Sequence, residues 1–211
     1  ARKRKSLNPG SIVHVTSNTV LGIHTLSPKK QLNKLVIGQL CRCQKKHGMQ
    51  IIVVYVASNH YHILLRPRHQ TQLSDFMRDL NESVAHIIEK LYGQGGHKFA
   101  RPFDQTELLD DEQVMHDYLY ILANPVNDGL VEDPRHWPGV QSASELCGGR
   151  AMTGEYFDGE AWRAARAKDQ SVKKKDFVVK ASVELTPLPV DAHLNRYQRQ
   201  RLNRERVKQI V

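Results

Sequence analysis

An α+β fold built on one antiparallel sheet is predicted by three features of the 211-residue chain. An alternating pattern, "SIVHVTS" at 11–17, reads as a strand and is followed by a helical apolar repeat. The run "QIIVVYVASNHYHILLR" at 50–66 reads as a hairpin, because "SNH" is too short for anything but a tight turn. Two more helical repeats follow, separated by a short strand-like stretch. Hydrophobic residues make up 40% of the chain and charged residues 25%, which is enough apolar material for a packed core.

Taken in order, each element has a local cause. From Lys29 to Lys46 the apolar positions Leu32, Leu35, Val36, Leu40 and Cys43 recur at helical spacing, and Gly48 closes the helix. Residues 50–57 are continuously apolar and β-branched, as expected of a strand covered on both faces. From Thr71 to Leu91 a long amphipathic helix is predicted through Leu73, Phe76, Leu80, Val84, Ile87, Ile88 and Leu91, ended by "GQGG". The stretch "HKFARPFDQTELL" is strand-like. In "DDEQVMHDYLYILANPV", Asp110 and Asp111 favour a helix N-terminus, and Pro125 with Gly129 is expected to stop the helix. The order β-α-β-β-α-β-α is that of a ferredoxin-like sheet with helices on one face. "SELCGGRAMTGEYFDG" then reads as turns, Glu160–Lys168 as a helix and Phe177–Leu185 as a strand. A basic helix ends the chain. The predicted division is a basic arm over 1–10, a domain over 11–142 and a C-terminal extension over 143–211.

The formal net charge is +9 and the isoelectric point about 9.5. The surplus gathers in "ARKRK", "VKKKDF" and "NRYQRQRLNRERVKQIV". Such a surplus points to a polyanionic partner such as nucleic acid, or else simply to a solvated surface. No stretch approaches the ~18 apolar residues of a membrane span, and "ARKRKSLNPG" has no apolar signal core, so a cytoplasmic protein without membrane contact is expected. Cys41, Cys43 and Cys147 cannot all pair with one another and are expected to be reduced.

Two constellations carry chemistry. Side chains alternate along a strand, so His60 and His62 share a face, close enough to bind one divalent ion, while Tyr61 points away to the core. The spacing alone has low specificity: with 11 histidines in 211 residues, about half of one such pair arises by chance. Two histidines on a solvent-facing strand are the plainer alternative. In "HDYLYILANPV", His116, Tyr120 and Asn124 lie four apart and stack on one helical face. Tyr118 falls instead with Val114, Ile121 and Leu122 on the core stripe. Tyr120 on the polar face is either a nucleophile or an ordinary exposed tyrosine.

"SNHYHILLR" followed by "YILANPVNDGLVEDPRHWPG" resembles the REP-associated tyrosine transposases, part of the HUH class of single-strand DNA transposases with one catalytic tyrosine. The resemblance covers roughly residues 11–142 and implies the HUH endonuclease fold. It implies that His60 and His62 are metal ligands, that Tyr120 is the nucleophile and that Trp137–Pro138 is the pair following the helix. Asn124 takes the place of the third ligand, with His116 as the substitute. A magnesium or manganese ion is the implied cofactor. The implied activity cleaves single-stranded DNA beside hairpins through a 5′-phosphotyrosine, without a nucleotide cofactor. Arg66, Arg68 and Arg101 are expected near the site, and Arg196, Arg199, Arg201 and Arg204 as contacts to a hairpin stem, in a monomer or a homodimer. Two other readings remain. One is a domesticated protein that binds hairpins without cutting them. The other is a zinc hydrolase, which no HExxH motif supports.

Overall fold

The computed structural model describes residues 7–8, 10–93, 95–100 and 103–211. Most of the expected N-terminal arm, and Arg101, lie outside the described residues. Four strands form the main sheet: β1 (Ile12–Asn18), β2 (Gln50–Val56), β3 (His60–Arg66) and β4 (Asp104–Leu108). Their order is β2-β3-β1-β4, every neighbour antiparallel. Among them run α1 (Lys30–His47), α2 (Gln70–Tyr92) and α3 (Asp111–Asn127). The α+β class and the ferredoxin-like order are therefore as expected from the sequence.

The helices, however, divide between the two faces of the sheet. Val13, Val15, Tyr61, Ile63 and Leu65 pack with Leu32, Val36 and Leu40 of α1 and Phe76, Leu80 and Val84 of α2. Ile12, Tyr55, Leu64 and Leu108 point the other way, onto Val114, Tyr118, Ile121 and Leu122 of α3. The expectation of helices on one face is corrected to α1 and α2 on one side and α3 on the other. The cause is that every strand residue of β2 and β3 from Ile51 to Leu65 with an apolar side chain needs a cover, and the two-sided burial of β2 cannot be met by one layer. A bulge between Ile51 and Val53 puts both Ile52 and Val53 on the α3 side.

Helix ends follow local chemistry. Gly48 and Gly93 close α1 and α2 in the left-handed region that glycine adopts without a Cβ clash. The Asp110 side chain accepts from Gln113 N at 2.8 Å and caps α3. Pro125 does not stop α3: the helix runs through it to Asn127, and Gly129 turns the chain at φ +67. Proline offers no N–H to the carbonyl of Ile121. The side-chain amide of Gln141 donates there instead, 3.4 Å from Ile121 O and 3.5 Å from Leu122 O.

Residues beyond 142 join both cores rather than standing apart. The stretch read as turns contains a short helix, α4 (Ala143–Leu146), and a strand, β5 (Thr153–Phe157), which pairs with β6 (Val178–Ser182). This second sheet lies against α1. The following helices are α5 (Gly159–Lys168) and α6 (Arg196–Lys208), the latter opened by a capping box between Asn195 and Gln198. Val207 of α6 and Leu188 enter the α3 core, while Met152 and Val183 enter the other. The free edge of β2 is covered at one end by Thr186 N, which donates to Ile51 O at 2.7 Å. At the other end Val56 N donates to Val140 O at 2.9 Å. Pairing these edge groups removes a template for aggregation. The three cysteines are buried and free. No helix of the described residues is long and apolar enough to cross a membrane.

Candidate metal and tyrosine site

The face of the sheet under α3 carries a polar patch at one end. His60 and His62 share that face with Leu64, as strand alternation requires, and their ring centroids are 4.8 Å apart. Register brings β1 alongside, with Thr16 opposite His62 and Asn18 opposite His60. Tyr61 points to the α1/α2 core and its hydroxyl donates to Asn81 Oδ1. On α3, Tyr118 faces the sheet and is buried, whereas Tyr120 is 41% exposed. The Tyr120 ring lies 5.6 Å from the His62 ring and 6.3 Å from that of His14.

Each histidine of the pair has its Nδ1 occupied. His60 Nδ1 is 2.8 Å from Asn59 Oδ1. His62 Nδ1 is 2.9 Å from His14 Nε2 and 3.1 Å from Thr16 Oγ1. His14 Nδ1 in turn lies 2.7 Å from Asp117 Oδ2, on the α3 turn preceding Tyr120. Among the described residues, neither Nε2 of the pair has a hydrogen-bond partner. Burial, reinforced by the neighbouring His14 and His60, pushes His62 down to about 3. Burial also lowers His60, against an opposing pull from Asp128. Both rings are thereby held neutral, the state in which imidazole offers a lone pair to a metal.

This burial has a thermodynamic consequence. An unfolded histidine takes up a proton near its ordinary ~6.5, while folded His62 resists protonation until about 3. Between those values the unfolded chain binds more protons, so stability is intact above about pH 6.5 and drains as pH falls toward 3. The expected loss is on the order of a few kcal/mol. Urea titrations of metal-free protein between pH 7 and 4 check this. The His62→Gln variant should show a visibly flatter profile, and an unchanged slope in that variant would assign the loss to other groups.

Asn124 is 5% exposed, and its Oδ1 is buried without a hydrogen-bond partner. An orphaned buried acceptor is costly and rare, and here it sits one helical turn beyond the tyrosine. His116 is otherwise placed: its side chain is 77% exposed and its Nδ1 lies 3.0 Å from Asp117 Oδ1. It makes no hydrogen bond or ring contact with the histidine pair. Among the described residues no three His, Cys, Asp or Glu side chains gather at metal-binding range. Trp137 braces the site from behind, donating from Nε1 to Val56 O at 3.1 Å and packing on Tyr55 with centroids 5.6 Å apart. Tyr55 stands edge-on to His60 at 6.5 Å.

Part of this arrangement lies in a segment that resembles a known family. The segment 27–106 matches the model described as "Transposase IS200 like". The matched segment runs from ahead of α1 into β4 and includes His60 and His62; α3 with Tyr120 lies beyond it. The match supports a transposase-like, DNA-processing role. Among solved structures, the chain is similar to a REP-associated tyrosine transposase bound to a REP hairpin, with a TM-score of 0.58 and 16% identity. The match covers 72% of this chain and 89% of that one, and at such identity the likeness is one of fold. A tRNA(His) guanylyltransferase from Saccharomyces cerevisiae scores 0.44 at 12% identity, over 92% of this chain and 96% of that one. No curated protein matches the chain.

The arginines are spread over the chain. Arg66 ends β3 four residues beyond His62, about 13 Å along a strand. Its Nε donates to Gly10 O at 3.0 Å. Arg68 is exposed just beyond it. On α6, Arg199 donates to Leu194 O just ahead of the helix, and Arg204 to Cys147 O at 2.9 Å, which ties the helix to the end of α4. Arg201 pairs with Glu205 at 3.3 Å in the open, and Arg196 is exposed. The residues that sequence reasoning missed are Asn59, His14, Thr16 and Asp117. His14 and Thr16 do alternate with Val13 and Val15, so their common face was legible. Their apposition to His62 was not.

Proposed function

We propose that the chain is a metal-dependent single-strand DNA endonuclease and strand transferase that works beside DNA hairpins, with Tyr120 as nucleophile. The observation that carries this is the Tyr120 ring against His62, in a pair of neutral histidines whose Nδ1 atoms are both engaged. His60 and His62 would hold a divalent ion through Nε2, and the unpartnered Oδ1 of Asn124 would complete an N,N,O donor set. That set suits manganese, which accepts imidazole, or magnesium with water filling the remaining positions. Bound there, the ion supplies Lewis-acid polarisation of the scissile phosphate.

The rest of the chemistry falls to the chain. Tyr120, partly exposed, reaches a strand laid across the face. Its Oη loses the phenolic proton and bonds to phosphorus, while the P–O3′ bond breaks and the departing 3′ oxygen takes up a proton. A 5′-phosphotyrosine and a free 3′-hydroxyl result. The reverse attack by a 3′-hydroxyl rejoins DNA, since the bond energy is kept in the covalent intermediate. The +9 net charge favours a polyanionic substrate. The similar fold whose structure holds a REP hairpin supports a hairpin as the recognition element. Arg196, Arg201, Arg66 and Arg68 are the exposed or part-exposed cations suited to phosphate contact.

The test incubates the chain with labelled hairpin oligonucleotides carrying single-stranded flanks. A denaturing gel is expected to show a DNA-linked protein band with manganese, lost on chelation and lost in His60→Ala. A hairpin shift in a native gel without an adduct under any metal would replace this reading with hairpin binding alone.

A further inference from the structure

The hydrogen bonds beneath His62 form a chain, and the carboxylate at its far end is on the tyrosine helix. An ionised carboxylate can only accept. Asp117 Oδ2, at 2.7 Å, therefore requires His14 to donate from Nδ1. A neutral imidazole that donates from one nitrogen accepts at the other, whereas an imidazolium donates from both. With His14 neutral, His62 donates from Nδ1 to His14 Nε2 across 2.9 Å. Thr16 Oγ1, at 3.1 Å from the same Nδ1, is compatible as a second acceptor. The lone pair of His62 is left on Nε2 alone.

We infer that Asp117 and His14 form a positioning relay that fixes His62 as its Nδ1–H tautomer and presents Nε2 to a divalent cation, tying the tyrosine helix to the ligand strand. The inference rests on the metal reading of the histidine pair. The relay crosses three elements: Asp117 on α3, His14 on β1 and His62 on β3. Asp117 lies one turn before Tyr120, so the same bonds that orient the ligand restrain the rotation of the nucleophile's helix. His14 and Asp117 side chains are 12% and 18% exposed, which keeps water from competing for these bonds. His60 has a simpler counterpart, its neighbour Asn59 accepting at 2.8 Å. A carboxylate behind a ligating histidine raises ligand basicity and holds ring orientation, and losing such a partner typically weakens metal binding about 10–100-fold.

Two readouts test this, neither of them catalytic turnover. The first is the tautomer, read from long-range 15N–1H correlations of the histidines in metal-free protein. Wild type is expected to carry the proton on Nδ1 of both His62 and His14. Asp117→Asn, whose amide can donate or accept, should give mixed tautomers. The second is manganese affinity by calorimetry without DNA, expected to fall about 10–100-fold in Asp117→Asn and in His14→Gln, with far-ultraviolet dichroism confirming that each variant is folded. An Nε2–H tautomer at His62 in wild type overturns the relay, as does an unchanged affinity in both variants. Should wild type take up no manganese, or His60→Ala bind it as wild type does, the metal reading falls, and the tautomer by itself then decides whether the relay exists.

Discussion

Tyr120→Phe is expected to lower adduct formation by at least about 10⁴-fold, the scale on which removal of a nucleophile acts. Hairpin binding and thermal stability should stay near those of wild type. The hydroxyl it removes belongs to a side chain 41% exposed, with no hydrogen bond among the described residues, and such surface changes are typically within ~0.5 kcal/mol. Tyr118→Phe, two residues away, should do the opposite. Tyr118 is 1% exposed and its Oη donates to Asn203 Oδ1 at 2.9 Å, the contact that docks α6 on α3. Losing it costs about 1–2 kcal/mol, which lowers the melting temperature by roughly 2–8 °C for a chain of this size. Adduct formation should be retained. Measuring both variants on one gel and one melting curve separates nucleophile from core residue. An adduct that survives Tyr120→Phe and disappears in Tyr118→Phe would refute the assignment.

The largest expected change in stability comes from Gly38→Ala. Gly38 lies in the middle of α1, where alanine would ordinarily be the better helix former by about 1 kcal/mol. Here β5 crosses so closely that a Cβ built on Gly38 stands 2.0 Å from the backbone oxygen of Glu155. The approach is mutual, since a Cβ on Gly154 would stand 2.2 Å from Gly38 N. Both obstacles are backbone, so no rotamer change relieves them, and the β5–β6 sheet must shift away from α1. The expected cost is about 2–4 kcal/mol after the helix gain, or roughly 5–15 °C in melting temperature. Gly95→Ala, with nothing within 4 Å of the added Cβ, should be neutral. A Gly38→Ala melt that overlays wild type would mean that the second sheet does not sit on α1.

Most of the first seven elements were legible because each is dictated within a few residues. Leu32, Val36 and Leu40 mark α1, and the β-branched run at 51–56 marks β2. The alternation of Val13 and Val15 with His14 and Thr16 marks the faces of β1. The C-terminal part was less legible. Its first strand, "TGEYF", has glycine where β5 meets α1, so the local pattern reads as a turn and the reason for the glycine lies in another element. Pro125 misled for a similar reason: the carbonyl it leaves unpaired is served by Gln141, sixteen residues on from it and outside the helix.

By itself the sequence determined that His60 and His62 share a face and that Tyr120 and Tyr118 do not, because side-chain period is a property of a single strand or helix. It also determined the ferredoxin-like order of elements, since hairpin and helix signals are local. Only the tertiary structure decided that α3 lies opposite α1 and α2, that Thr16 stands across from His62, and that Asp117 meets His14. Those pairings join residues 46 to 103 positions apart. They depend on which apolar faces bury one another and in what register. That is a matter of packing across the whole molecule, which no spacing along the chain records.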